Sequence, residues 1–292
     1  MATYVSTKKK KPLQKIIIFA LLLLYAIILF VPFYVLIADM FTSYDELQSF
    51  SGFVWWPKKF SFEGFSMIFG EDPWGNAIPT ILLGFINTMW QTLIPLVVGL
   101  LVAGFSAFCF SKLKFPGKEK LFLFNIATMT MPLGVFGMVG FFFWQELGMS
   151  ETVWPLILPG LFGAPTTVFF LRMYFDSMSN EVIEAAKIDG AGILKIYFSI
   201  MMPLAVPAFL SQFIFGFVGG YNSYAAPLLY LINDTSKWPL QLVMSQITGI
   251  YNGGQLNVLC SAAFLCMLPL IILYAFLQKW FLEGIAVGGG KE

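Results

Sequence analysis

The sequence predicts an all-α integral membrane protein with six transmembrane helices and both termini on the cytoplasmic side. Three observations predict it. Six apolar runs, at about 15–38, 79–110, 119–144, 152–173, 199–224 and 257–282, each reach the roughly 20 residues that cross a bilayer as a helix. The chain is 58% hydrophobic and only 11% charged, with a mean hydropathy of +0.79, well outside soluble-domain usage. Finally, lysine and arginine are distributed unevenly over the segments that join the runs.

Taken in order, the first run follows Lys8, Lys9, Lys10, Lys11 and Lys15. It is longer than the apolar part of a signal peptide and lacks a small-residue cleavage site, so it is expected to remain as an anchor. The second run exceeds one crossing and is expected to tilt or to extend outside the bilayer. Lys112, Lys114, Lys118 and Lys120 separate it from the third, and Arg172, Lys187 and Lys195 separate the fourth from the fifth. Lys279 and Lys291 close the chain, whereas the opposite side holds only Lys58, Lys59 and Lys237. The positive-inside rule places the Lys/Arg-rich segments in the cytoplasm.

The first external loop, 39–78, carries Trp55, Trp56 and Trp74 with Pro57 and Pro73. These read as aromatics at headgroup level, with a ligand platform as the alternative. The second external loop, 145–152, is short. The third, 225–256, contains Asp234, Lys237, Trp238 and the turn-prone Asn252-Gly253-Gly254, and is large enough to meet an external partner. Prolines recur within the runs at Pro95, Pro132, Pro159, Pro165, Pro207 and Pro269. Each removes a backbone donor, which is tolerated where neighbouring helices or a wet cavity satisfy the freed carbonyl. Gly216 and Gly220, four apart in the fifth run, permit close helix approach.

Several chemistries are excluded. The chain has no histidine, the commonest general base and metal ligand. Cys109, Cys260 and Cys266 lie in apolar runs without ligand spacing and read as small buried residues. No phosphate-cradling Gly-x-x-x-x-Gly-Lys-Ser/Thr occurs, so the chain is not expected to bind ATP. No basic stripe beyond the N-terminal lysines offers a nucleic-acid surface. Asp39, Glu146 and Arg172 sit at span ends, which leaves the span interiors without the carboxylates of a proton-driven carrier.

One polar island breaks the apolar pattern, at about 180–199. Ser179 is a candidate N-cap, and Glu181 falls in the first turn, where the helix dipole favours an anion. Val182, Ala185, Ala186 and Asp189 share one face by i, i+3, i+4 spacing. Gly190 is suited to the left-handed residue that ends a helix. Small side chains on such a face would let another protein's backbone come close, so this is expected to be a docking helix and not a core helix.

From Glu184 the chain reads Glu-Ala-Ala, three residues, Gly190, nine residues, Ile200, one residue, Met202, Pro203. Apart from Met202 in place of leucine, this resembles the signature of the membrane subunits of bacterial ATP-binding-cassette importers. The longer run Glu184-Ala185-Ala186-Lys187-Ile188-Asp189-Gly190-Ala191 is similar to the carbohydrate-uptake branch, akin to the smaller maltose-transporter membrane subunit. The resemblance extends from about Thr80 to the C-terminus. It implies a type I ABC importer permease fold, with a segment 1–78, a transmembrane core 79–282 and a cytoplasmic tail 283–292. It implies a non-enzymatic permease subunit of a sugar importer, an oligosaccharide being favoured, in the bacterial cytoplasmic membrane. The implied partners are a second homologous permease, two ATPase subunits that carry the ATP and Mg, and an extracytoplasmic sugar-binding protein. No cofactor or metal is expected on this chain itself.

Glu184, Ala185, Ala186, Asp189, Gly190 and Pro203 are the ATPase-coupling residues that the resemblance implies. The tail from Glu283 to Gly290 is similar to the family's glycine-rich end, which reaches the ATPase interface; a frayed terminus is the equal alternative. A path for a neutral sugar should offer amides, hydroxyls and aromatic faces without full charges. Asn87, Thr88, Gln91, Thr92, Gln212, Tyr221, Asn222 and Tyr224 are the candidates, with hydrogen bonding between helices as the alternative role. The family's Trp-Asn-Asp near the outer end of the fifth span reads Tyr221-Asn222-Ser223 here. Importers of amino acids, peptides or ions use the same coupling motif, and a non-transporting membrane scaffold is a further alternative.

Overall fold

The computed structural model describes residues 12–49, 54–70, 73–131, 133–251 and 255–288, and no β-strand occurs among them. The chain packs as two compact units, one of Met1–Gly70 with Thr248–Phe264, the other of Glu71–Ile247 with Leu265–Glu292.

The first unit contains α1 (Pro12–Met40), α2 (Tyr44–Ser49), α3 (Glu63–Phe69) and the first residues of α15 (Leu256–Gly288). α1 is apolar on every side, and none of its most apolar stretch is buried inside the protein. Its last turn is closed by the Thr42 hydroxyl, which donates to the Ala38 carbonyl at 2.8 Å. Gly64 lets α3 lie directly on α15, since a Cβ there would stand 2.5 Å from the Asn257 carbonyl oxygen. The Glu63 carboxylate accepts from the Tyr44 N–H at 2.9 Å and from the Asn257 amide at 3.4 Å.

The second unit is organised around α4 (Thr80–Lys112), against which α8 (Pro165–Asp176), α12 (Val206–Tyr221) and the 3₁₀ turn Pro159–Phe162 pack. Small residues make this approach possible. A Cβ on Gly99 would sit 2.1 Å from the Gly160 carbonyl oxygen, and one on Gly216 would sit 2.3 Å from Leu96 Cδ1. A Cβ on Gly220 would meet Thr92 at 2.6 Å, so the Gly216 and Gly220 spacing does seat α12 on α4. Ala103, Ala107, Phe108, Leu171, Phe175 and Phe209 form the centre of one continuous apolar core.

Among the described residues four helical segments are long and apolar enough to cross a membrane: Leu13–Met40, Thr80–Lys112, Trp154–Asp176 and Leu256–Lys279. A bent pair, Ile193–Leu204 with Val206–Tyr221, makes a fifth if taken as one span. α4 has 33 residues, about 50 Å at 1.5 Å per residue, and so exceeds the roughly 30 Å hydrocarbon layer as expected. Over 119–144 the structure has two helices, α5 (Lys118–Met129) and α6 (Leu133–Glu146), where the sequence predicts one continuous span. Pro132, at their junction, lies outside the described residues. The fourth run is also interrupted: α7 (Trp154–Ile157), the 3₁₀ turn and α8 follow one another across Gly163 at φ +79°.

The fifth span departs most from expectation. It starts earlier than 199, as α10 (Ile193–Ile196), continues through a π-helical turn at Tyr197–Met201 into α11 (Met202–Leu204), and then bends by 75° into α12. Pro203 and Pro207 flank the bend. Neither has an N–H to return to the preceding turn, and prolines and π turns are the usual causes of sharp kinks. The segment expected as the third external loop is mostly helical, with α13 (Ala225–Leu231), the 3₁₀ turn Thr235–Lys237 and α14 (Leu240–Tyr251). Trp238 is buried there and its indole N–H donates to the Leu231 carbonyl at 2.8 Å. Asn252-Gly253-Gly254, like Lys8–Lys11 and the end of the tail, lies outside the described residues.

Candidate functional site

The polar island folds as α9 (Glu181–Ile188). Its N-terminus differs from expectation by one residue. Asn180 holds the cap position without a side-chain cap bond, while the Ser179 hydroxyl accepts from the Glu181 N–H at 3.2 Å. The Asn180 side chain is engaged elsewhere: its oxygen accepts from Lys112 Nζ at 2.9 Å. The same ammonium donates to the Met178 carbonyl at 2.7 Å. The last lysine of α4 thus clasps the joint between α8 and α9.

The C-terminus ends as the sequence predicts. Gly190 has φ +77°, its N–H donates to the Lys187 carbonyl at 3.0 Å, and the Ala191 N–H donates to the Ala186 carbonyl at 2.9 Å. That pair of bonds is a Schellman motif, which requires a left-handed residue at this position.

α9 is locked to the protein along one side only. Ile183 and Ala186, one turn apart, are buried in the core formed by α4, α8 and α10 to α12. Val182, Glu184, Ala185, Ile188 and Asp189 are exposed. Ala186 therefore does not lie on the docking face with Ala185, because its position one turn from Ile183 turns it inward. Ile188 was not singled out by the sequence, yet it is 88% exposed. The signal available was an isoleucine that continues the i, i+3 row of Val182 and Ala185. Pro203 lies in α11 beside the bend, not on α9.

The path candidates separate into two groups. A cavity of about 690 Å³ is lined by Gln91, Thr92, Thr166, Thr167, Gln212 and Ser223 among others, and no charged residue lies on its wall. The remaining candidates are committed to internal bonds. Asn87 Nδ2 donates to the Ser236 carbonyl at 2.8 Å and the Trp238 carbonyl at 3.1 Å. The Thr88 hydroxyl accepts from the Leu240 N–H at 2.7 Å. Tyr221 donates to the Cys266 carbonyl at 2.8 Å, and Asn222 donates to the Val218 carbonyl at 2.9 Å. The Tyr224 hydroxyl accepts from Ser245 at 3.2 Å. Thr88 and Gln91 serve both groups: both line the cavity, while Gln91 Nε2 donates to the Lys237 carbonyl at 2.9 Å. Thr166, Thr167 and Ser223 were missed as wall residues. The first two directly follow Pro165, where α8 begins, a place at which hydroxyls face free space readily.

The profile of the family described as binding-protein-dependent transport system inner membrane component matches residues 96–287. The chain belongs to this family. As a member of it, the protein is a multi-pass membrane permease component of the bacterial plasma membrane. α9, the bend and α12 all lie within the matched residues. The chain is 28% identical over 296 residues to the polygalacturonan/rhamnogalacturonan transport system permease protein YtcP of Bacillus subtilis (strain 168), covering 97% of this chain and 99% of that protein. It is 29% identical over 273 residues to Protein LplC of the same organism, covering 89% of this chain and 88% of that protein. It is also 29% identical to the diacetylchitobiose uptake system permease protein NgcG of Streptomyces coelicolor (strain ATCC BAA-471 / A3(2) / M145), covering 92% of this chain and 86% of that one. The fold is similar to a chain of a bacterial ABC transporter involved in the import of the acidic polysaccharide alginate, with a TM-score of 0.80, 21% identity and coverage of 94% and 98%.

Proposed function

We propose that this chain is the permease subunit of an ATP-driven sugar importer, forming half of the path for an oligosaccharide. It crosses the membrane six times with both termini cytoplasmic, α5 and α6 together making the third crossing. It works with a second homologous permease, two ATPase subunits that bind ATP and Mg, and an extracytoplasmic sugar-binding protein.

The observation that carries this reading is α9: an eight-residue helix held by Ile183 and Ala186 on one side and bare on the other. Its bare side combines an apolar ridge of Val182, Ala185 and Ile188 with the acids Glu184 and Asp189. That chemistry suits a groove with an apolar floor and a basic rim on a soluble partner. Closure of the ATPase pair draws α9 with it. Because Ile183 and Ala186 belong to the same core as α4, α8 and α12, the displacement passes into the membrane helices through close-packed side chains. Gly190 sets the angle at which the chain leaves α9, and Pro203 sits where the following helix bends.

Carbohydrate as the solute is supported by the names of the relatives and by the uncharged cavity wall. That wall offers amides and hydroxyls for sugar hydroxyls. It offers no cation, and so favours a neutral saccharide over the acidic polymers of the kind alginate represents. Reconstitution tests the reading. Glu184→Lys and Ile188→Asp should leave the chain in the membrane, weaken copurification of the ATPase and abolish ATP-dependent uptake. Undiminished uptake by both variants would refute α9 as the transmission element. Binding of the cognate binding protein to uronic-acid oligosaccharides alone would refute the neutral-sugar reading.

A further inference from the structure

In the first unit, four large aromatic side chains face outward from a well-fixed loop. Trp55 is 61% exposed, Trp56 67%, Phe60 58% and Phe62 65%. Their exposure is not a matter of looseness. Val54 and Pro57 are buried beneath them, the Ser61 N–H donates to the Phe41 carbonyl at 2.8 Å, and the Lys58 N–H donates to the Glu46 carboxylate at 3.0 Å. The rings also brace one another: Phe41 lies 5.9 Å from Phe60 and 5.4 Å from Phe62, and Trp56 lies 5.6 Å from Phe60. Four aromatics of this size, more than half exposed, present on the order of 500 Å² of apolar surface. A contiguous patch of that size marks an interaction site.

What covers it follows from its attachment to α1. The Tyr34 hydroxyl donates to the Trp55 carbonyl, and the Tyr34 and Trp55 rings lie 6.3 Å apart. Tyr34 stands six residues before the end of α1 at Met40, about 9 Å along the helix axis. α1 is a candidate membrane span, and none of its most apolar stretch is buried within the chain, so Tyr34, exposed on it, stands within the depth of the membrane. Trp55 and Trp56 are therefore held at the edge of the hydrocarbon layer, below the reach of a soluble protein. Lys59, exposed, stands in the same loop, and its ammonium group suits lipid phosphates.

We propose that Trp55, Trp56, Phe60 and Phe62 form an interfacial anchor that inserts at the boundary between headgroups and acyl chains, on the leaflet at the C-terminal end of α1. Indole and phenyl rings prefer this layer, where an apolar body meets lipid and a polar edge meets water. The anchor fixes the depth of α1 and hence of the first unit. The inference rests on the membrane-embedded fold and is independent of the transported solute.

The test uses the full chain with its copurifying partners in phosphatidylcholine liposomes. Trp55→Cys, Trp56→Cys and Phe60→Cys, each made separately with Cys109, Cys260 and Cys266 replaced by serine, carry a nitroxide label. Collision with oxygen and with a water-soluble nickel complex is then measured at each site. The expected result is oxygen-dominated relaxation at all three, at a depth close to the lipid phosphates. Nickel-dominated relaxation would overturn the proposal, placing the patch in water. Protection from both reagents would overturn it too, in favour of a protein neighbour. Should a tryptophan variant fail to insert, the Phe60 site alone decides the outcome by the same criterion.

Discussion

Gly190 and Gly99 show how the same residue type is required for different reasons. At Gly190 the backbone is left-handed at φ +77° and a side chain would meet open space. Gly190→Leu should therefore cost only about 1–2 kcal/mol of local strain, shift the melting temperature little, and act mainly by re-aiming α9. At Gly99 the obstacle is another chain segment, the Gly160 carbonyl oxygen 2.1 Å from where a Cβ would lie. Backbone yields poorly, so Gly99→Ala should lower the melting temperature and the yield of monodisperse protein from detergent, more than Gly190→Leu does. Thermal melts of the two variants, side by side with uptake, check this. The expected pattern is uptake lost in Gly190→Leu with the fold kept, and the fold itself weakened in Gly99→Ala. Equal melting temperatures would sink the distinction.

Two elements lend themselves to direct tests. The clasp from Lys112 to Met178 and Asn180 fixes the start of α9. Lys112→Ala should speed hydrogen exchange of the α9 amides several-fold while leaving α12 protected; unchanged exchange would show that Ile183 and Ala186 suffice. The 3₁₀ turn Thr235–Lys237 is held by Asp234, which accepts from Lys237 and from Ser236. The hydrogen bond from Lys237, then that from Ser236, holds its carboxyl below the usual carboxylate range. A depressed value stabilises the fold above the ordinary carboxylate pKa of about 3.9, and that contribution disappears as pH falls through the lowered value. In a variant whose other six tryptophans are replaced by phenylalanine, the fluorescence of Trp74 and Trp238, 5.6 Å apart, should accordingly be flat from neutral pH down to the lowered value and change only there. Asp234→Asn should abolish the acid step. The two elements were unequally legible in the sequence. α9 was readable because an acid in the first turn and a terminal glycine follow the local rules of helix ends, whereas its cap lay one residue later than read and Ala186 turned inward. That Asn87 and Thr88 hold the 235–240 segment, Thr88 while also lining the cavity, was not legible, because their partners lie some 150 residues away and no local pattern connects them.

At the scale of the whole molecule, orientation is the first thing to measure. A reporter after Glu292 or at Lys114 should report cytoplasm, and a cysteine at exposed Asn233 should react with an impermeant reagent from outside. Asn233 is chosen over Trp238, whose burial would make an insertion destructive. Reversed labelling would separate α9 from any cytoplasmic ATPase. Purified without partners, the chain should neither bind nor hydrolyse ATP, which equilibrium binding of a fluorescent nucleotide checks. Hydropathy located the apolar mass well and its interruptions poorly. Apolarity is a sum over a window, whereas the breaks at 130–131, at Gly163 and at Ala205 depend on single backbone donors and dihedral angles. The break at Ala205 has a mechanical meaning. Ile193–Leu204 is an arm of 12 residues, about 18 Å long, set at 75° to the shaft formed by α12. In a straight helix, a push at the far end is delivered along the axis and the barrel does not turn. In this cranked one, a sideways movement of roughly 3 Å at the tip of the roughly 18 Å arm turns the shaft by about 10°. The wall that carries Gln212 would be swept around like the key bit of a lock.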